Sequence, residues 1–224
     1  MISSLILNVL LKGVAFASCF AQGLSLGARQ DSVLSCEDPI HIANLVLVRQ
    51  DPSNLHQRAA FTSSVDTQGR LQLSTIAGDT PTPYYPQFHF RICNSTVMPT
   101  APVEVGQGGL RSFGLLSPNY HPNKCVTLAG PILSNVSSPF VSADCQTMDA
   151  VNLASQWWAI DAPSGDVTAN VLPVSFFGKP LNATAEGVYS IDSVITGNDT
   201  LVQATFLNST SVYGLQLQII FESA

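Results

Sequence analysis

Apolar and polar residues alternate with a period of two over most of this chain, in short runs separated by turn residues. Gln87–Cys93 (QFHFRIC) is the clearest run, with Phe88, Phe90 and Ile92 on one face and His89 and Arg91 on the other. Residues two apart share a face only in a strand. Ala43–Val48, Arg58–Val65 and Arg70–Ser74 are predicted strands before it, with Gly69 turning the chain between the last two. Leu110–Leu116, Lys124–Leu128, Phe140–Cys145 and Gln156–Ile160 follow, and then Val171–Phe177, Val188–Val194, Leu201–Leu207 and Gly214–Phe221. The stretch from Gly78 to Pro86 holds three prolines and is expected to be a loop, since a sheet interior cannot absorb them. No long helical stripe interrupts the pattern, so the chain is expected to be all-β, a sandwich or a barrel.

A degenerate threefold repeat runs through these strands. Val141–Cys145 is similar to Val202–Phe206, and Gln87, Gln156 and Gln216 stand at comparable places in three units of unequal length. Three strand-rich units point to a β-trefoil, with a two-sheet sandwich as the alternative.

Composition adds a compartment. Charged residues make up 11% of the 224, and the net charge is −6 with a pI near 4.9. The nine Lys and Arg are scattered, so nothing clusters enough cations to bind nucleic acid or an anionic membrane surface. Residues 1–21 carry two apolar runs flanking Lys12, each too short to span a bilayer. They read as a signal peptide, with a signal-anchor as the alternative. Cleavage after Ala21 leaves four cysteines, and cleavage after Ala17 leaves five. Residues 22–35 are then a short linker and 36–224 a single domain. Five Asn-x-Ser/Thr sequons, at Asn94, Asn135, Asn182, Asn198 and Asn208, are what a secreted glycoprotein would carry.

Candidate chemistry is sparse. Gly23-Leu-Ser25-Leu-Gly27 matches a nucleophile-elbow pattern but lacks a preceding strand. The cysteines form no CxxC pair, and His41, His56, His89 and His121 are dispersed, so neither a metal site nor a cofactor is implied. No phosphate-binding loop or dinucleotide fingerprint occurs, and the chain is not expected to be an enzyme.

One segment is more specific. Cys125-Val-Thr, the strand Phe140–Cys145 and Gln156-Trp-Trp158 together resemble one repeat of the ricin-B-type lectin family. The other two units match only by spacing. The resemblance implies a β-trefoil in which Trp158 packs inward, and a Cys125–Cys145 disulfide that leaves Cys36 to pair with Cys93. Four cysteines by themselves permit three connectivities. The resemblance also implies where a galactose site would be. The acid expected two residues after the first cysteine is Thr127, the stacking aromatic two before the second is Ala143, and the asparagine before the glutamine is Ser155. Only Gln156 matches, so the family's usual sugar site is not expected in this repeat.

Carbohydrate would then have to bind elsewhere, through Trp157, Tyr84, Tyr85, Gln156 and Thr127 as the candidate ligand-facing residues, with Tyr120, Tyr189 and Tyr213 as further aromatics beside loops. The expected function is that of a secreted lectin-like glycoprotein. The alternatives are a structural extracellular glycoprotein without a small ligand, and a trefoil protease inhibitor that presents Gly78–Pro86 or Ser117–Lys124 to a protease.

Overall fold

A computed structural model describes residues 32–49, 56–76, 87–100, 103–105, 109–130, 136–162, 171–178, 188–207 and 217–222. The expected signal peptide at 1–21 lies outside these residues, as do Tyr84, Tyr85, Tyr213, Asn135, Asn182, Asn208 and the loop 78–86.

The described chain is all-β. Two short strands come first, β1 (Ser32–Val33) and β2 (Ser35–Cys36). A first group of four follows: β3 (His41–Arg49), β4 (His56–Val65), β5 (Leu71–Ile76) and β6 (Gln87–Asn94). After β7 (Val103–Val105) come β8 (Gly109–Pro118), β9 (Lys124–Leu128) and β10 (Ser137–Asp144). This second group ends with β11 (Met148–Asp149), a 3-10 helix at Val151–Gln156 and β12 (Trp158–Ala162). The third group is β13 (Val171–Phe176), β14 (Val188–Thr196), β15 (Asp199–Leu207) and β16 (Leu217–Glu222).

The pairing between strands follows two closed circuits. In the first, β3 pairs with β16, β16 with β13, β13 with β12, β12 with β8, β8 with β6, and β6 returns to β3. Every contact is antiparallel, and each of the three groups contributes its first and last strand. In the second, the middle strands of each group form a hairpin (β4–β5, β9–β10 and β14–β15). The hairpins then join one another through β5–β10, β10–β15 and β15–β5. The fourteen strands of this sheet thereby curl upon themselves.

Local chemistry sets the hairpin ends. Asp66 accepts hydrogen bonds from the backbone amides of Gln68 and Arg70, both at 2.9 Å, and Gly69 takes φ 75° where the chain reverses. That combination of Asx cap and left-handed glycine is a turn former. Between β14 and β15 the turn is Gly197-Asn198, with Gly197 at φ 64° and the sequon residue Asn198 exposed at its tip. Asn94, the other described sequon residue, is exposed at the end of β6.

The strands bury two sets of side chains. Inside the first circuit lie Leu45, Phe88, Phe90, Phe140, Trp158 and Phe176, with further apolar residues of all three groups. Phe140, Trp158 and Phe176 have ring centroids 4.9–5.2 Å apart, in tilted and edge-on contacts that aromatic quadrupoles favour. A second cluster on the outer side joins Leu34, Met98, Phe113, Leu115, Leu153 and Trp157. Strands β6, β8 and β12 are thus covered on both faces. The alternation in Gln87–Cys93 is real in direction, but His89 on its polar face is also buried.

Two expectations change. The segment Ser32–Ser35 is part of the packed body instead of a linker: β1 pairs with β11, Leu34 is buried, and its amide donates to the Thr147 carbonyl at 2.8 Å. The expected strand at Gln156–Ile160 starts at Trp158, because Val151–Gln156 winds into the 3-10 helix.

Candidate functional site

The Gln-x-Trp segment is best understood from its atoms. Gln156 ends the 3-10 helix and is buried. Its Oε1 accepts from the Gln146 amide at 2.8 Å, and its Nε2 donates to the Asp144 carbonyl at 2.8 Å and to Thr127 Oγ1 at 3.0 Å. Thr127 Oγ1 in turn donates to the Cys125 carbonyl at 3.0 Å. Both amide hydrogens and the carbonyl of Gln156 are used, so it bolts the 144–146 segment to β9. Two residues on, Trp158 enters the inner core and donates Nε1 to the Val126 carbonyl at 3.0 Å. Trp157, on the opposite face, sits in the outer cluster and donates Nε1 to the Pro99 carbonyl at 2.9 Å.

These contacts remove three candidate ligand residues from any binding surface. Trp157 is 0% exposed and has no open face for a sugar ring, while Gln156 and Thr127 are buried and bonded to each other. Sequence alternation placed Trp157 away from the inner core but could not show the second apolar layer that covers it. Tyr189 is likewise committed to packing, against Phe176 at 4.7 Å and Phe206 at 5.2 Å, and burial pushes its hydroxyl pKa up. Tyr120 remains 64% exposed. It lies in the 117–124 segment, which is folded by two successive turns: the His121 amide donates to the Pro118 carbonyl and the Lys124 amide to the His121 carbonyl.

Both disulfides are formed, Cys36–Cys93 and Cys125–Cys145. They border a pocket of about 650 Å3 beside Cys145 that combines polar and apolar lining residues. It is lined by Leu34 and Cys36 of the β1–β2 segment, by Leu115 of β8, and by Asn123, Gln146 and Thr147, the carbonyl of Thr147 accepting from the Leu34 amide. The β1–β2 segment is held in place at both ends, by Cys36–Cys93 to β6 and by pairing with β11. Asn123 and Cys145 are joined by a backbone bond of 2.9 Å. None of the lining side chains is aromatic.

Arg91 is the cation of this pocket. It projects from β6 opposite Leu115 of β8, so its cross-strand neighbour offers no charge. Among the described residues its Nη2 contacts the Pro122 carbonyl and Cys145 Sγ, each at 3.5 Å. Its Nε is buried with no acceptor at all. Burial lowers its pKa, and no acid among the described residues acts in the other direction. Arg111 of β8 shows what a satisfied guanidinium looks like here: it faces Asp161 in register and holds it through two bonds of 2.6 and 2.8 Å. A buried donor without an acceptor costs about 1–3 kcal/mol, more when charged. Asp144 also lines the pocket but is exposed and paired with Lys124 at 2.7 Å, so its charge is already compensated.

Deeper in the same outer layer is His89, buried with Nε2 unpartnered. Burial lowers its pKa first, and the Arg91 charge lowers it further. Ser117, its neighbour across β8, touches both sulfurs of Cys125–Cys145. Behind the pocket, the carboxylate of Asp149 accepts from the Ser95 hydroxyl and from the Thr96 amide at 2.6 Å. Burial alone would raise the Asp149 pKa, and these bonds outweigh it to hold the group below its ordinary value.

Arg91, Asn123, Gln146 and Thr147 were not singled out in the sequence. The only signal was a cation, Arg91, on the polar face of a strand two residues before a cysteine. Among the described residues no group of three or more His, Cys, Asp or Glu side chains could hold a metal ion, and no helix is long and apolar enough to cross a membrane. Two disulfides fit an oxidising compartment. No protein-family model matches the chain, and no curated protein matches it in sequence.

Proposed function

We propose that this protein is a secreted, lectin-like β-trefoil that binds extracellular carbohydrate through the pocket beside Cys145. The trefoil reading is supported by the two pairing circuits. Six strands, two from each group, form an antiparallel ring, and three hairpins close against one another. The kinship with ricin-B-type lectins is supported by the positions of Cys125, Cys145, Gln156 and Trp158, whose contacts build the frame of one unit. Secretion is supported by the disulfides, the sequons and the apolar leader.

The observation that carries the binding reading is the pocket itself. It is lined by amide and hydroxyl side chains and by apolar ones, and held rigid by both disulfides. Sugars present the same mixture of hydroxyls and apolar C–H faces, and preorganised polar groups around an apolar floor are what a small-ligand site requires. The location differs from the family's galactose position, where Thr127 and Ala143 stand in place of the acid and the ring.

The test is a broad glycan array probed with folded, disulfide-bonded protein. Saturable binding to a set of glycans, lost when Gln146 and Thr147 are both replaced by Ala, supports the reading. Absence of binding to every glycan by protein with a cooperative thermal transition overturns it and leaves a structural extracellular glycoprotein as the better description.

A further inference from the structure

The geometry points to an acidic sugar as the ligand: we infer that the pocket takes a hexuronate, with its carboxylate on Arg91. This rests on the reading of the pocket as a carbohydrate site and adds the chemical class of the sugar.

Three features of the pocket argue for it. First, Arg91 has donor capacity to spare. Its Nε has no acceptor, and its Nη2 reaches only a carbonyl at 3.5 Å, the limit for N–H···O, and a disulfide sulfur at 3.5 Å, a weak acceptor. Buried donors are nearly always satisfied in folded proteins, by protein, water or ligand. Second, no aromatic ring lines the pocket among the described residues, so these supply no stacking platform of the kind by which neutral sugars are commonly held. Affinity must come from somewhere else, and a charge-assisted bond is roughly twice as strong as a neutral one. Third, the pocket offers a single uncompensated cation. Asp144 at the rim is paired with Lys124, which offsets its negative charge.

One planar guanidinium fork matches one planar carboxylate through two parallel N–H···O bonds. A dianionic phosphate would call for more cations than the pocket supplies. The sugar's ring hydroxyls then fall to Asn123, Gln146 and Thr147 on the rim, and its C–H face to Leu34 and Leu115.

The experiment is calorimetric titration of the full, disulfide-bonded protein with a trigalacturonate, its methyl ester and a sulfated neutral trisaccharide. The ester keeps the sugar and removes the charge. The expected result is saturable binding of the trigalacturonate, at least tenfold weaker binding of the ester and of the sulfated sugar, and loss of binding in Arg91→Gln. Arg91→Lys, which keeps the charge but not the fork, falls between. Because Arg91 makes no strong bond within the protein, Arg91→Gln should unfold at the same temperature as the parent or above it, and this separates lost recognition from lost structure. Equal binding of acid and ester overturns the carboxylate assignment while leaving a glycan-binding protein. Equal binding of the sulfated sugar, unchanged affinity in Arg91→Gln, or array binding confined to neutral glycans overturns it in the same way. Failure of every glycan on the array overturns both this inference and the function it rests on.

Discussion

Gln156 illustrates how one polar side chain can hold more structure than an apolar one of its size. Its amide satisfies the Gln146 N–H, the Asp144 carbonyl and the Thr127 hydroxyl at once, the last in a fully buried setting and the other two part-buried. Gln156→Ala should therefore lower stability by about 2–4 kcal/mol, the cost of leaving one or two buried groups unsatisfied. Denaturant unfolding checks it; a loss below about 0.5 kcal/mol would mean the network is not what fastens this segment. His89 sets a pH dependence at the same scale. Its folded pKa lies below the ordinary value of 6.5, through burial and then the charge of Arg91. The unfolded chain thus binds the proton more readily. The stability from keeping His89 neutral is fully present above pH about 6.5 and is lost as pH falls through the lower folded value. Asp149, also depressed, adds a second loss only as pH falls below its ordinary 3.8. Thermal melts from pH 8 to 4 should show the melting temperature falling from about pH 6.5 downward, and His89→Phe should remove that first decline.

At the scale of elements, the close approach of β6 and β8 is the most sensitive contact. A Cβ on Gly114 would lie 1.8 Å from the Arg91 carbonyl oxygen, which is backbone and cannot swing aside. Gly114→Ala should force the two strands apart and destabilise by about 1–3 kcal/mol. Since the displaced atom belongs to Arg91, ligand affinity should fall along with stability, and the pair of measurements distinguishes a local shift from a general loosening. This element was only half legible in the sequence. Period-two patterning located β6 and β8 to within two or three residues, because alternation is a property of the strand itself. That both of their faces are covered was not legible: the outer cover is made by Leu34, Met98 and Leu153, which come from distant segments. For the same reason Trp157 read as a surface ring and is buried, and Arg91 read as an ordinary polar-face residue and lines a pocket. The 3-10 helix was missed because its six residues are shorter than any helical period can declare.

At the scale of the whole molecule, the two disulfides act on different parts of the stability. Cys125–Cys145 spans 20 residues inside one unit, and Cys36–Cys93 spans 57 and ties the N-terminal segment across β6. On the loop-entropy model these contribute about 3 and about 4 kcal/mol. Cys36→Ser with Cys93→Ser should cost about 4 kcal/mol in denaturant unfolding and release the pocket wall that carries Leu34, so the glycan affinity proposed for this pocket should fall further than the stability loss alone explains. A double variant that unfolds at the parental midpoint would contradict this. The net charge of −6 works against anionic ligands at long range, and screening by salt should therefore speed their association while weakening the bond to Arg91 itself. The ring of strands has a consequence for biosynthesis. Its closure depends on β16 fitting between β13 and the much earlier strand β3. Until residues 217–222 have left the ribosome, β3 and β13 each keep an open hydrogen-bonding edge, and a nascent chain with such edges is open to pairing with its neighbours. Both disulfides lie well upstream of β16, so an oxidising compartment can form them before that strand arrives.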